Sequence, residues 1–147
     1  MRGYFGIGIE HTKNVINVGT LWRSAQSLGA SHIFTIGRRY RRQASDTTKA
    51  WKHIPLFHFD TFADFYEHLP HDCRLVGVEI LPGARKLPAY VHPERAMYLL
   101  GAEDHGLTNE AVDRCHDLIE IPSAYCLNVS TAGSIIMYDR QTKRAAT

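Results

Sequence analysis

A chain of 147 residues is long enough for one compact domain that buries roughly two-thirds of its extended surface. Its 44% apolar and 22% charged residues suit a soluble globular protein; no run nears the roughly 20 apolar residues of a membrane span, and MRGYFGIGIEHTKN lacks the apolar stretch of a signal peptide. The net charge of +2 is uneven, with +7 on residues 1–53 and −5 on residues 54–147, so the front half suits a polyanionic partner or a solvated charged face.

In chain order, Tyr4–Glu10 reads as a first strand. Val18, Leu21, Trp22, Ala25 and Leu28 recur at helical spacing, with Gly29 where a helix cap belongs. His32–Ile36 is a second strand, followed by an Arg-rich loop to Lys52 and a short third strand over residues 55–59. Thr61 caps a helix through Phe62, Phe65, Tyr66 and Leu69, with Asp64 placed as in a capping box. Residues 74–79 and 97–100 are buried strands, and Thr108 caps a short helix through Ala111, Val112 and Cys115. Residues 118–121 form the last strand. The last helix runs from Asn128 to about Arg140, with Val129, Ala132, Ile135 and Ile136 on one face. This alternation predicts an α/β fold, a single domain over residues 1–147 with a mostly parallel sheet flanked by helices and no appended RNA-binding domain.

Cys73, Cys115 and Cys126 are odd in number and scattered, which argues against a disulfide framework or zinc site and for a reducing cytoplasm. No metal-ligand spacing is present among the nine histidines, and His105 reads as a turn residue. No G-x-G-x-x-G follows the first strand, so a conventional dinucleotide site is not expected. Ligands of parallel α/β sheets bind beyond the carboxyl ends of the strands, and three segments fall there. The first is Asn17-x-Gly19-x-x-x-Arg23, where Asn17 also reads as a plain helix cap and Arg23 as a surface ion pair. The second runs Leu100-Gly101-Ala102-Glu103-x-x-Gly106-Leu107, a strand entering a glycine turn. The third is Ile121-Pro122, then Cys126-Leu127-Asn128-Val129-Ser130-x-Ala132, which opens the last helix.

Taken in this order, the three segments resemble the signature motifs of the SpoU/TrmH-type family in the SPOUT superfamily of RNA methyltransferases. The resemblance spans essentially the whole chain. It implies a deep trefoil knot near the carboxyl end, a rare topology, and an obligate homodimer. It further implies S-adenosylmethionine as methyl donor, held by Val78, Glu79, Leu100, Gly101, Ala102, Ile121, Cys126 and Leu127. The acceptor implied is a ribose 2′-hydroxyl in RNA, with tRNA favoured over rRNA because the bare domain suits a small, shape-defined element; a non-catalytic RNA-binding module of the same fold and a base-nitrogen methyltransferase are the rivals.

By the same resemblance Arg23 is the catalytic residue, oriented by Asn17, Glu103 and Asn128, in a site completed by the second subunit. A guanidinium rarely gives up its proton, so Arg23 is better suited to hold a phosphate and stabilise negative charge on the oxygen than to act as a base. No metal is required. Serine is usual in the family where this chain has Cys126, and a small buried filler is the expected role of that thiol. Arg38, Arg39, Tyr40, Arg41 and Arg42 follow the second strand, and guanidinium groups around an aromatic ring suit phosphate contact with base stacking.

Overall fold

The structure is a computed structural model, and it describes residues 2–41 and 49–146. Its elements are β1 (Tyr4–Glu10), α1 (Val15–Ser27), β2 (His32–Ile36), β3 (Leu56–Phe59), α2 (Phe62–Glu67), β4 (Arg74–Val78), β5 (Arg85–Lys86), β6 (Arg95–Leu100), α3 (Asn109–Arg114), β7 (Asp117–Glu120) and α4 (Val129–Ala145). The strands form one sheet in the order β3-β2-β1-β6-β4-β7-β5, and every pairing among them is parallel. Strands buried on both faces read as near-continuous apolar runs, which is why YFGIGIE and RAMYLL stand out in the sequence.

Alternation along each strand splits the core into two layers. Phe5, Ile7 and Ile9 of β1 and Tyr98 and Leu100 of β6 pack with Val18, Leu21 and Trp22 of α1 and Ile136 and Met137 of α4. On the opposite face Phe34, Ile36, Leu75, Met97 and Leu99 meet Phe62 and Phe65 of α2 and Ala111 of α3. Three side chains cap helix starts: Asn14 accepts from Ile16 N, Thr108 from Ala111 N, and Asn128 from Ser130 N and Thr131 N.

Three sequence expectations change. The sheet has one strand more than the pattern predicts, because β5 is only the exposed pair Arg85–Lys86 and carries no apolar signal. Asn14, not Asn17, caps α1. In α4, Ile135 is 37% exposed while Ile136 is fully buried. Consecutive helical residues stand 100° apart, and α4 gives its core face to Val129, Gly133, Ile136, Met137 and Arg140.

The end of α4 is held by a buried polar chain. The Arg140 guanidinium donates to Pro93 O (2.6 Å), Glu94 O (2.9 Å) and the Tyr98 hydroxyl (3.1 Å). His92 lies 2.7 Å from that hydroxyl through Nδ1 and 2.7 Å from Asp139 through Nε2. Lys143 pairs with Asp139 and donates to Leu87 O and Tyr90 O. The helix is thereby fastened to the segment between β4 and β6.

Candidate active site

A cavity of about 520 Å³ opens at the carboxyl ends of β4, β6 and β7, within the roughly 300–1,000 Å³ typical of small-molecule sites. Val78, Glu79, Leu100, Gly101, Ala102, Ile121, Cys126 and Leu127 all line it. These eight positions come from three stretches separated by some 20 residues each. Only the sheet order, which sets β4 between β6 and β7, brings them together.

The wall is apolar except for Glu79, Glu103, Asp104, Glu120 and a few neutral polar groups, and among the described residues no Lys or Arg lines it. That charge pattern favours a cationic ligand. Glu79 builds the wall: its carboxylate accepts from Leu107 N at 2.8 Å and Ile80 N at 3.1 Å. Gly106, at φ +67°, makes this possible, since a Cβ there would lie 1.9 Å from Glu79 Oε2. The Ala102–Gly106 bridge closes the turn. On the far side, Glu10 anchors the start of α3 by accepting from Thr108 N and Oγ1 at 2.9 and 2.8 Å.

Beside the cavity the motif polar residues form a chain. Asn17 is buried in the first turn of α1 and donates to Glu103 Oε1 at 2.8 Å, while its own Oδ1 accepts from Asn128 Nδ2 at 3.1 Å. Glu103 also accepts from the Thr12 hydroxyl at 2.6 Å and from Lys13 N at 3.0 Å. Burial alone would raise the Glu103 pKa, but the bonds from Lys13, Thr12 and Asn17 outweigh it and hold the carboxyl at about 2. A carboxylate so fully occupied is a poor proton acceptor. Its role is to fix the two asparagines.

Arg23 is exposed and does not line the cavity; among the described residues its guanidinium has no hydrogen-bond or ion-pair partner. The expected direct orientation of Arg23 by Asn17, Glu103 and Asn128 therefore does not occur within one protomer. The reason is helical geometry: six residues separate Asn17 from Arg23, placing them about 240° apart around α1. Ile16, Thr20, Arg23 and Ser27 share the exposed face instead.

The Arg-rich segment divides in the same way. Arg38, Arg39 and Arg41 are exposed. Tyr40 packs on the core, its ring 5.8 Å from Trp22 in a T-shaped contact and its hydroxyl over Gly19. It is not displayed for base stacking, because folding Tyr40 onto α1 removes apolar ring area from water. Arg42 lies outside the described residues. Cys126 is exposed at the cavity rim, so it is not a buried filler: Ser123 to Asn128 run along the surface before α4 begins. His105 is an exposed turn residue near Asp104.

Sequence reasoning missed Thr12, which is buried and bonded to Glu103, and the Lys13–Asp104 ion pair. No motif marks either residue; the only available signal was position, just past the carboxyl end of the first strand. Ile80, Leu81, Asn109 and Val112 also line the cavity without belonging to any of the three motifs.

A family model described as the SpoU rRNA Methylase family matches residues 5–138. The tRNA (guanosine(18)-2′-O)-methyltransferase of Escherichia coli (strain K12) is 25% identical over 142 residues, which cover 92% of this chain and 62% of that protein. The chain thus spans about three-fifths of the length of the curated relatives it matches. Among solved structures, the SpoU methyltransferase AviRb from Streptomyces viridochromogenes, in complex with AdoMet, superposes with a TM-score of 0.89 at 20% identity, covering 99% of this chain and 60% of that one. A structure concerned with 2-OH methylation of C/U34 on tRNA matches with a TM-score of 0.84 at 23% identity, covering 99% of both chains.

Proposed function

The chain belongs to the SpoU rRNA methylase family, and from that membership and the cavity we propose that it transfers a methyl group from S-adenosylmethionine to a ribose 2′-hydroxyl in RNA, with tRNA the favoured substrate. The observation that carries the reading is the convergence of all eight expected donor-binding positions on one acid-rimmed cavity. The apolar lining of Val78, Leu100, Ile121 and Leu127 suits an adenine ring, and the acidic excess of the lining, with Glu79 at its wall, suits a ligand bearing a sulfonium and an ammonium.

When bound, the donor supplies an electrophilic methyl carbon that needs no metal. The chain's own groups position and polarise. The cavity walls would hold the donor and keep water from it, and such positioning of reacting groups contributes several kcal/mol. The Asn17–Glu103–Asn128 chain keeps the mouth of the site rigid. Arg23 binds the phosphate beside the target ribose and stabilises negative charge as the hydroxyl releases its proton to solvent water at the mouth of the site. Arg38, Arg39 and Arg41 extend this cationic surface along the RNA backbone.

The active unit is a homodimer in this reading. Thr131, Ile135, Tyr138 and Thr142 form an exposed face of α4 at the same spacing as Ile16, Thr20, Arg23 and Ser27 of α1. The two helices pack together, with Ser134 Oγ 3.0 Å from Ser24 Oγ, so the faces make one surface with apolar patches. A two-fold pairing buries such a surface against itself and carries each Arg23 toward the partner's cavity. The carboxyl-terminal segment is proposed to form the trefoil knot: the lining of one cavity by Leu81, Ser123 and Leu127, and the fastening of α4 to Leu87, Tyr90 and Pro93, support that threading. The cytoplasm, where RNA and methyl donor meet, is the proposed location. Calorimetry with S-adenosylmethionine tests the reading: one site per protomer is expected, and no heat of binding would favour a non-catalytic RNA-binding module instead.

A further inference from the structure

His11 follows β1 directly and is one of two described non-glycine residues with positive φ, at +54°. This conformation is uncommon for residues with a Cβ and concentrates at functional sites. The backbone has a reason to turn there. His11 N continues the ladder to Ile36 O at 2.8 Å, and the next two residues must swing back to place the Thr12 hydroxyl and Lys13 N on Glu103. Glycine or asparagine would make that turn at equal or lower cost, so the backbone does not account for the imidazole.

The ring itself is exposed, and among the described residues its nitrogens have no hydrogen-bond partner. It is nevertheless held in place. Gly37, at φ +88° and pinned through its N–H to Phe59 O at 2.9 Å, leaves the space in which the imidazole sits: a Cβ on Gly37 would lie 2.2 Å from His11 Nδ1 and 2.6 Å from Cε1. Two cationic residues are close in the chain: Arg38 follows Gly37 and donates its guanidinium to Lys13 O, and Lys13, two residues past His11, pairs with Asp104 of the cavity rim.

We infer that His11 is an RNA-contact residue: its imidazole, set on Gly37 near the Arg38–Lys13 contact, stacks on a base flanking the methylated nucleotide. Flat, exposed and seated on Gly37 in a basic stretch of chain, the ring has the properties of a single-strand stacking platform. The role passes to it because Tyr40, the aromatic residue within the arginine run, is folded onto Trp22. The inference rests on the methyltransferase reading for the identity of the nucleic acid, and its test measures binding separately from chemistry.

Fluorescence anisotropy with an unmodified tRNA transcript pool, at one fixed salt concentration, compares the full chain with His11→Asn and His11→Tyr. Asparagine keeps the left-handed turn and removes the ring; tyrosine keeps a ring. His11→Asn is expected to bind RNA about ten-fold more weakly and to raise KM for RNA with little change in kcat, in S-adenosylmethionine affinity or in Tm. His11→Tyr is expected to recover most of the loss. Unchanged RNA affinity in His11→Asn overturns the inference, as does a loss in both variants accompanied by an equal fall in Tm, which marks a role in the turn alone. Should the wild-type protein bind the transcripts and respond to these substitutions yet transfer no methyl group, the contact stands and the methyltransferase reading falls.

Discussion

Asn17 donates its side-chain amide to Glu103 across 86 residues of sequence at 2.8 Å, and this bond joins the first and second motifs into one rigid corner. Asn128 closes it from the third motif by donating to the Asn17 carbonyl oxygen. Each amide in this chain has a unique orientation, because Glu103 is held as a carboxylate and can only accept.

Glu103→Gln reverses that logic by placing an NH2 group among three donors. The substitution is expected to cost about 1.5–3 kcal/mol of stability, the usual worth of hydrogen bonds to a charged group, and to weaken S-adenosylmethionine binding. Urea denaturation and calorimetry read the two effects. Glu103→Gln with wild-type stability and donor affinity would show that the corner is not held by these bonds.

Arg23 has no partner among the described residues, so Arg23→Ala should leave Tm and donor affinity near the wild-type values. Its expected effect is on kcat, a fall of roughly 10²–10³-fold, the range for removing one preorganised donor to a developing negative charge. Arg23→Lys is expected to rescue only a small part, since an ammonium cannot reproduce the planar fork. Steady-state kinetics with labelled donor decides, and a parallel loss of donor binding would mean that Arg23 is structural.

Tyr138 and Ile135 stand on the exposed face of α4 that Arg23 shares through α1. Tyr138→Glu is expected to convert a dimer to a monomer in sedimentation equilibrium, with the far-ultraviolet circular dichroism spectrum retained and methyl transfer lost. A monomeric variant with full activity would place Arg23 in service of its own cavity.

Stability is expected to fall with acid in two windows. Burial holds the His92 imidazole below its ordinary pKa against the opposing bond to Asp139, with Arg140 and Lys143 nearby adding to the depression. The unfolded chain therefore takes up the proton first, and stability is lost as pH drops below about 6.5. Glu103 has a folded pKa of about 2, so its contribution is intact above its unfolded value and disappears as pH falls from about 4.5 toward 2. Thermal melts of the wild type against His92→Gln, at about pH 7.5 and 5.5, isolate the first window: the variant starts lower and changes less. Equal pH slopes in the two proteins would remove His92 from this account.

Cys126 occupies the cavity rim, where exposure allows a hydroxyl to replace the thiol without repacking. Cys126→Ser is expected to retain donor affinity and kcat within about two-fold. A ten-fold change in either would assign the side chain a direct part in binding.

Much of the fold can be read from the chain because its strongest signals are local. Runs such as YFGIGIE are legible since parallel strands are buried on both sides, and Thr61, Thr108 and Asn128 announce helix starts because a side-chain oxygen there accepts an otherwise free N–H. β5 is hidden because its two exposed basic residues carry no apolar signal and join β7 through the backbone ladder and the Lys86–Glu120 ion pair. The site was legible in its membership and illegible in its wiring. The eight donor positions follow from the family resemblance, yet Thr12 joins Glu103 only through tertiary closure, and Tyr40 turns inward because Trp22 of α1 offers it a buried edge.

The most direct measurement is nucleoside analysis of unmodified tRNA transcripts after incubation with the purified protein and methyl-labelled S-adenosylmethionine. The label is expected in 2′-O-methylated nucleosides, and it is expected to vanish with Arg23→Ala. Label confined to a base nitrogen, or no label in the presence of tight donor and RNA binding, would contradict the proposed reaction.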